Sequence, residues 1–104
     1  MDNIFESLPT DLSQEVFEQL VNSESVKIER IVSKGHTSPE RGWYEQPQHE
    51  WVMVLKGGAL LEFDNQEPVR LKPGDYLTIP AYQKHRVAWT DRFCETVWLA
   101  IHYP

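Results

Sequence analysis

The sequence predicts a small all-β domain, a sandwich or barrel, preceded by one α-helix. Three observations carry this. About seven short apolar segments recur at regular spacing, with turn formers between them. The hydrophobic period changes from about 3.6 to 2 after residue 25. A Pro-Gly turn at Pro73-Gly74 feeds the apolar run Tyr76–Ile79, which stops at Pro80, and His85 comes five residues later. A strand, a corner and a histidine in that order aim one imidazole into the hollow of a small barrel, where there is room for about one ligand site.

Residues 1–10 read as an arm. Thr10 or Asp11 caps a helix, with Gln14 three residues after Asp11 as in a capping box. Leu12, Val16, Phe17, Leu20 and Val21 form its apolar stripe, which packs on the sheet or on a second copy of the chain, and Asn22–Ser25 ends it. Val26 to Ile31 alternate as a strand, and residues 34–42 form a loop rich in turn residues. Trp51–Leu55, Ala59–Phe63, Val69–Leu71, Tyr76–Ile79, Arg86–Thr90 and Thr96–His102 are the remaining strands. Lys72-Pro73-Gly74-Asp75 suits a type II turn, because proline presets φ at its second position and glycine takes a positive φ at its third.

Composition bounds the function. The chain has 104 residues, 40% of them hydrophobic and 25% charged, which is enough for one domain with one core. We read residues 1–25 as arm and helix and 26–104 as barrel. The net charge of −6 comes without any basic run, so a nucleic-acid partner is not expected. No apolar stretch approaches the roughly 20 residues of a membrane span, and no basic start precedes an apolar run, so neither a membrane nor a signal peptide is expected. The one cysteine, Cys94, forms no internal disulfide, in keeping with a reducing, cytoplasmic location. Serine nucleophile elbows, phosphate-binding loops, dinucleotide fingerprints and CxxC pairs are absent from the sequence.

The motif residues resemble the cupin superfamily. Its second motif, G-x5-P-x-G-x2-H-x3-N, is met by Gly74, Pro80 and His85, with Tyr82 in place of the second glycine and Trp89 in place of the asparagine. Its first motif ends in the matching Glu50 and Gly57, while Gln46 and Tyr44 stand at the two histidine positions. The runs Gly42–Gln46 and His49–Val52 are similar to those of small stand-alone bacterial cupins. The resemblance implies a jelly-roll (double-stranded β-helix) domain, here with the N-terminal helix added, that commonly forms homodimers. It also implies a divalent metal held by three imidazoles and a carboxylate, of which this chain keeps Glu50 and His85.

Two functions are expected. One is small-molecule binding in the barrel mouth by Tyr44, Gln46, Glu50 and His85, with or without one divalent metal (Zn, Mn, Fe or Ni). The other is a metal-dependent enzyme, a dioxygenase, isomerase or lyase on a small organic substrate, with Glu50, His85 and Gln46 as ligands and His49 or His102 as further candidates. Glu50 and His85 are also able to do acid–base work without a metal. Each has a plainer alternative, a surface salt bridge for Glu50 and a hydrogen-bonded structural ring for His85. Alternation points His49 away from Glu50. If Arg86–Thr90 and Thr96–His102 pair as a hairpin, His102 falls near Gln83. His36 is placed in the loop over the mouth, and Arg86 points outward.

Overall fold

The computed structural model describes residues 1–39 and 41–104. Eight strands run in chain order: β1 (Val16–Asn22), β2 (Lys27–Ser33), β3 (His49–Lys56), β4 (Ala59–Phe63), β5 (Val69–Leu71), β6 (Tyr76–Ile79), β7 (His85–Thr90) and β8 (Thr96–Tyr103). They form a five-stranded sheet, β1-β2-β8-β3-β6, and a three-stranded sheet, β5-β4-β7, each with antiparallel neighbours. No helix occurs among the described residues, so none there is long and apolar enough to cross a membrane.

The expected N-terminal helix is therefore corrected to strand. The capping residue does act locally, since the Ser13 amide donates to Asp11 Oδ1 at 3.0 Å. From Val16 onward, however, the chain is an extended edge strand in which Val16 pairs with Val32 and Phe17 with Ile31. Leu20 is the extra residue where the register shifts between Gln19 and Val21. Valine and phenylalanine suit a pleated surface, and β2 would otherwise present an unpaired edge. Pairing with that edge outweighs the weak helical preference of a short amphipathic segment.

Strand register decides what faces the interior. Ile31, Trp98, Val54, Val52 and Ala100 share the inner face of the larger sheet, and Leu61 and Phe63 meet them from the smaller one. This buried core occupies one half of the space between the sheets. Towards the other half the same rows become polar, with Glu29, His102 and Glu50 in place of aliphatic side chains.

Two turns set the strand ends. The Asp75 amide donates to the Lys72 carbonyl at 2.9 Å and Gly74 has φ 93°, the type II geometry expected from the sequence. Gly57, at φ 86°, lets β3 pass into β4. A Cβ there would lie 2.4 Å from Thr96 Oγ1, which itself donates to the Gly58 carbonyl at 3.1 Å.

Candidate functional site

A cavity of about 270 Å³ opens between the sheets at the polar end. Each side chain reaches it by a traceable route. Glu50 lies on β3 with the parity of Val52, and its cross-strand partner on β8 is His102. His85 opens β7, opposite Phe63, and is 8% exposed. Tyr44 and Gln46 lie on the long loop, which is pinned to the corner before β7. The Tyr44 amide donates to the His85 carbonyl at 2.8 Å, the His85 amide returns a bond to Tyr44 at 3.0 Å, and the Tyr82 amide donates to the Gln46 carbonyl at 2.7 Å.

The polar atoms form two clusters. In the first, Gln46 Nε2 donates to Glu50 Oε1 at 2.8 Å, and His85 Nε2 stands 3.9 Å from the same oxygen. That gap is too long for a hydrogen bond. His85 Nδ1 lies 2.8 Å from the Gln83 carbonyl, which only accepts, so Nδ1 carries the proton. With Nδ1 as the donor to Gln83, Nε2 is the ring nitrogen left facing Glu50. In the second cluster, His102 Nε2 donates to Glu29 Oε1 at 3.0 Å, with both residues buried. An imidazole so close satisfies a carboxylate that would otherwise be costly to bury. The two clusters adjoin because Glu50 and His102 are register partners.

The expected residues Tyr44, Gln46, Glu50, His85 and His102 all line the cavity, as does His36. His102 arrives by another route than the conditional hairpin. β7 pairs with β4, and β8 pairs with β2 and β3, so the two last strands lie in different sheets. His49 lies outside the cavity, as alternation requires; its Nδ1 accepts the Ala81 amide at 2.9 Å and its ring stands 5.3 Å from that of Tyr103. Arg86 is also outside it, 3.5 Å from Glu62 and over the Trp43 ring.

Sequence reasoning missed Glu15, Phe17, Glu29 and Glu45. Glu29 was within reach, since it shares the parity of the apolar Ile31. Glu15 and Phe17 were hidden by the helical reading. In the fold, Trp98 Nε1 donates to Ser33 Oγ at 3.2 Å and Ser33 donates in turn to the Glu15 carboxylate, which ties the start of β1 to the cavity wall.

The metal set implied by the fold family was tested against these donors. Gln46 offers an N–H to Glu50, the Nδ1 of His49 is engaged outside the cavity, and the Nε2 of His102 is engaged by Glu29. Among the described residues no group of three His, Cys, Asp or Glu gathers to hold an ion. A carboxylate and one imidazole are too few ligands for a transition metal, so the arrangement does not fit the family's metal centre.

Comparison with known proteins agrees with this architecture. The family described as "Cupin domain" matches residues 29–102, and the chain belongs to that family. A crystal structure of a "putative mannose-6-phosphate isomerase" from Ralstonia eutropha JMP134 is 45% identical, covers 99% of this chain and 96% of its own, and superposes with a TM-score of 0.95. A cupin family protein with a double-stranded β-helix fold from Methanocaldococcus jannaschii is 25% identical over 93% of this chain and 86% of its own, with a TM-score of 0.72. A cupin superfamily protein from Desulfitobacterium hafniense DCB-2 shares the fold at 23% identity, over 92% of this chain and 83% of its own, with a TM-score of 0.76. No curated protein matches the chain.

Proposed function

We propose that this chain binds a small organic molecule in the mouth of its cupin barrel. One observation carries the reading. Gln46, Glu50, His85 and His102 converge, from a loop and three strands, on a cavity whose remaining wall is largely apolar. A small apolar hollow with a few convergent polar groups is the usual form of a ligand site. Ligand carry-over tests it. Native mass spectrometry of gently purified protein should reveal a bound small molecule that His85→Ala and Glu50→Ala variants, still folded, lose. If the folded variants retain the same adduct, the ligand lies elsewhere. Near-stoichiometric Mn, Fe, Ni or Zn, lost in His85→Ala, would replace this reading with a metal-dependent one.

A second reading, an acid–base enzyme, is favoured by the facing of Glu50 Oε1 and His85 Nε2 at 3.9 Å. Beside an aldose substrate Glu50 would take the proton from one carbon and return it to its neighbour, while His85 Nε2 would pass the hydroxyl proton to the adjacent carbonyl oxygen, the paired transfers that an aldose–ketose isomerisation needs. The name of the Ralstonia protein suggests mannose 6-phosphate for trial. Aldose–ketose interconversion that disappears in Glu50→Gln would establish the enzyme over the simple binder.

A further inference from the structure

We infer that the ligand of this cup is a small organic cation, an amine carried on an apolar body. The inference rests on the binding role just proposed and adds the charge and hydrogen-bonding class of what is bound.

The first support is the charge of the wall. Glu15, Glu45 and Glu50 line the cavity, and Glu29 stands behind His102. No lysine or arginine is among the described lining residues. The wall's three imidazoles, His36, His85 and His102, equal its three carboxylates in number, so with neutral rings the wall is net negative, and Glu29 behind His102 adds to that charge. Arg30, the cation on β2 next to Glu29, has the opposite parity. Its guanidinium is held by Glu18 and by the carbonyls of Ile4, Glu6 and Ser7. The net charge of the whole chain has the same sign as the cup.

The second support is independent of charge. His85 is a largely buried residue whose Nε2 opens onto the cavity and has no hydrogen-bond partner among the described residues. The Gln83 carbonyl fixes the proton on Nδ1, so in the neutral ring Nε2 is an acceptor. It faces Glu50 Oε1, a second acceptor, at 3.9 Å. Glu50 Oε1 already accepts from Gln46 Nε2 at 2.8 Å, so what the site lacks is a donor for His85 Nε2 and a positive charge beside the carboxylate. An ammonium in the cavity supplies both. A carboxylate or phosphate brings more acceptors and more negative charge. Phe17, Tyr44 and Trp98 are part of the wall and give it the aromatic surface that suits a cation with an apolar body.

The test uses three probes of one shape and different charge: benzylamine, benzyl alcohol and benzoate. Each is titrated into the isotopically labelled full chain at neutral pH. Amide resonances near the cup and the His85 ring nitrogens are followed. Benzylammonium should bind at least about tenfold more tightly than benzoate, with the alcohol between them. Glu50→Gln, and separately the substitution of the exposed Glu45 by Gln, should each narrow that gap several-fold. Benzoate binding as tightly as benzylamine in the wild-type chain would overturn the inference while leaving the cup a binding site. If no probe moves any cup resonance, the binding role itself fails and the inference falls with it.

Discussion

Tyr82 occupies a left-handed conformation, φ 63°, at the corner between β6 and β7. This is the position where the family pattern has glycine, and the reason for glycine is now visible. The turn needs a positive φ, which a Cβ makes costly by roughly 1–2 kcal/mol. Tyr82 accepts that strain while its amide fixes the Gln46 carbonyl, and its side chain is 66% exposed, so little packing offsets the cost. Tyr82→Gly should therefore stabilise the fold by about 1 kcal/mol, or some 4–8 °C in melting temperature, as read by thermal denaturation. An unchanged or lower melting temperature would mean that the ring makes contacts worth as much as the strain. The same corner sets His85, whose proton position is dictated by one backbone carbonyl and not by any side chain.

Among the elements, β1 and the arm before it matter most. Arg30, 6% exposed, is the link between them. It forms a bidentate pair with Glu18 on β1 and donates to three arm carbonyls. Removing the guanidinium would free the arm carbonyls and the Glu18 carboxylate, 38% exposed, to water. Arg30→Ala should cost about 1–2 kcal/mol in denaturant unfolding and raise amide exchange across residues 4–22. If exchange rises everywhere equally, the arm is not a separable unit. The helical reading of this segment failed for a reason of element scale. Val16, Phe17, Leu20 and Val21 fit a helical stripe and fit a bulged strand equally well, and only the exposed edge of β2 chooses between them. Leu20 and Val21 remain exposed on β1.

At the scale of the whole molecule, acid should weaken the fold through its turns. Backbone amides hold the carboxyl groups of Asp11, Asp75 and Asp91 below the usual carboxylate range: Ser13 for the first, Lys72 for the second and Phe93 for the third. The backbone bond of Glu95 and its contact with Lys56 act in the same direction on that residue. Because these groups release their protons more readily when folded, the unfolded chain binds protons first as the pH drops. Their stabilisation is whole above about pH 5 and fades as the pH falls through the unfolded and then the depressed folded values. Urea midpoints measured from neutral pH downward should decline in that window, and Asp75→Asn should flatten part of the decline. A flat profile would show that these turns form equally well in the unfolded chain.

The sequence by itself determined the strands from residue 26 onward, the type II turn at Pro73-Gly74 and the inward parity of Glu50. These depend on local chemistry: alternation, ring-constrained φ and glycine at positive φ. It also placed Tyr44, Gln46 and His85 together, through motif spacing. Only the tertiary structure decided the rest. Whether residues 16–22 became strand depended on a partner edge. Whether His102 met Glu29 or a metal depended on the β2-β8-β3 register. Whether His85 offered a proton or a lone pair depended on the carbonyl of Gln83. Each of these is settled by a group brought into reach by folding, and local sequence preference does not encode a neighbour that only the assembled sheets supply.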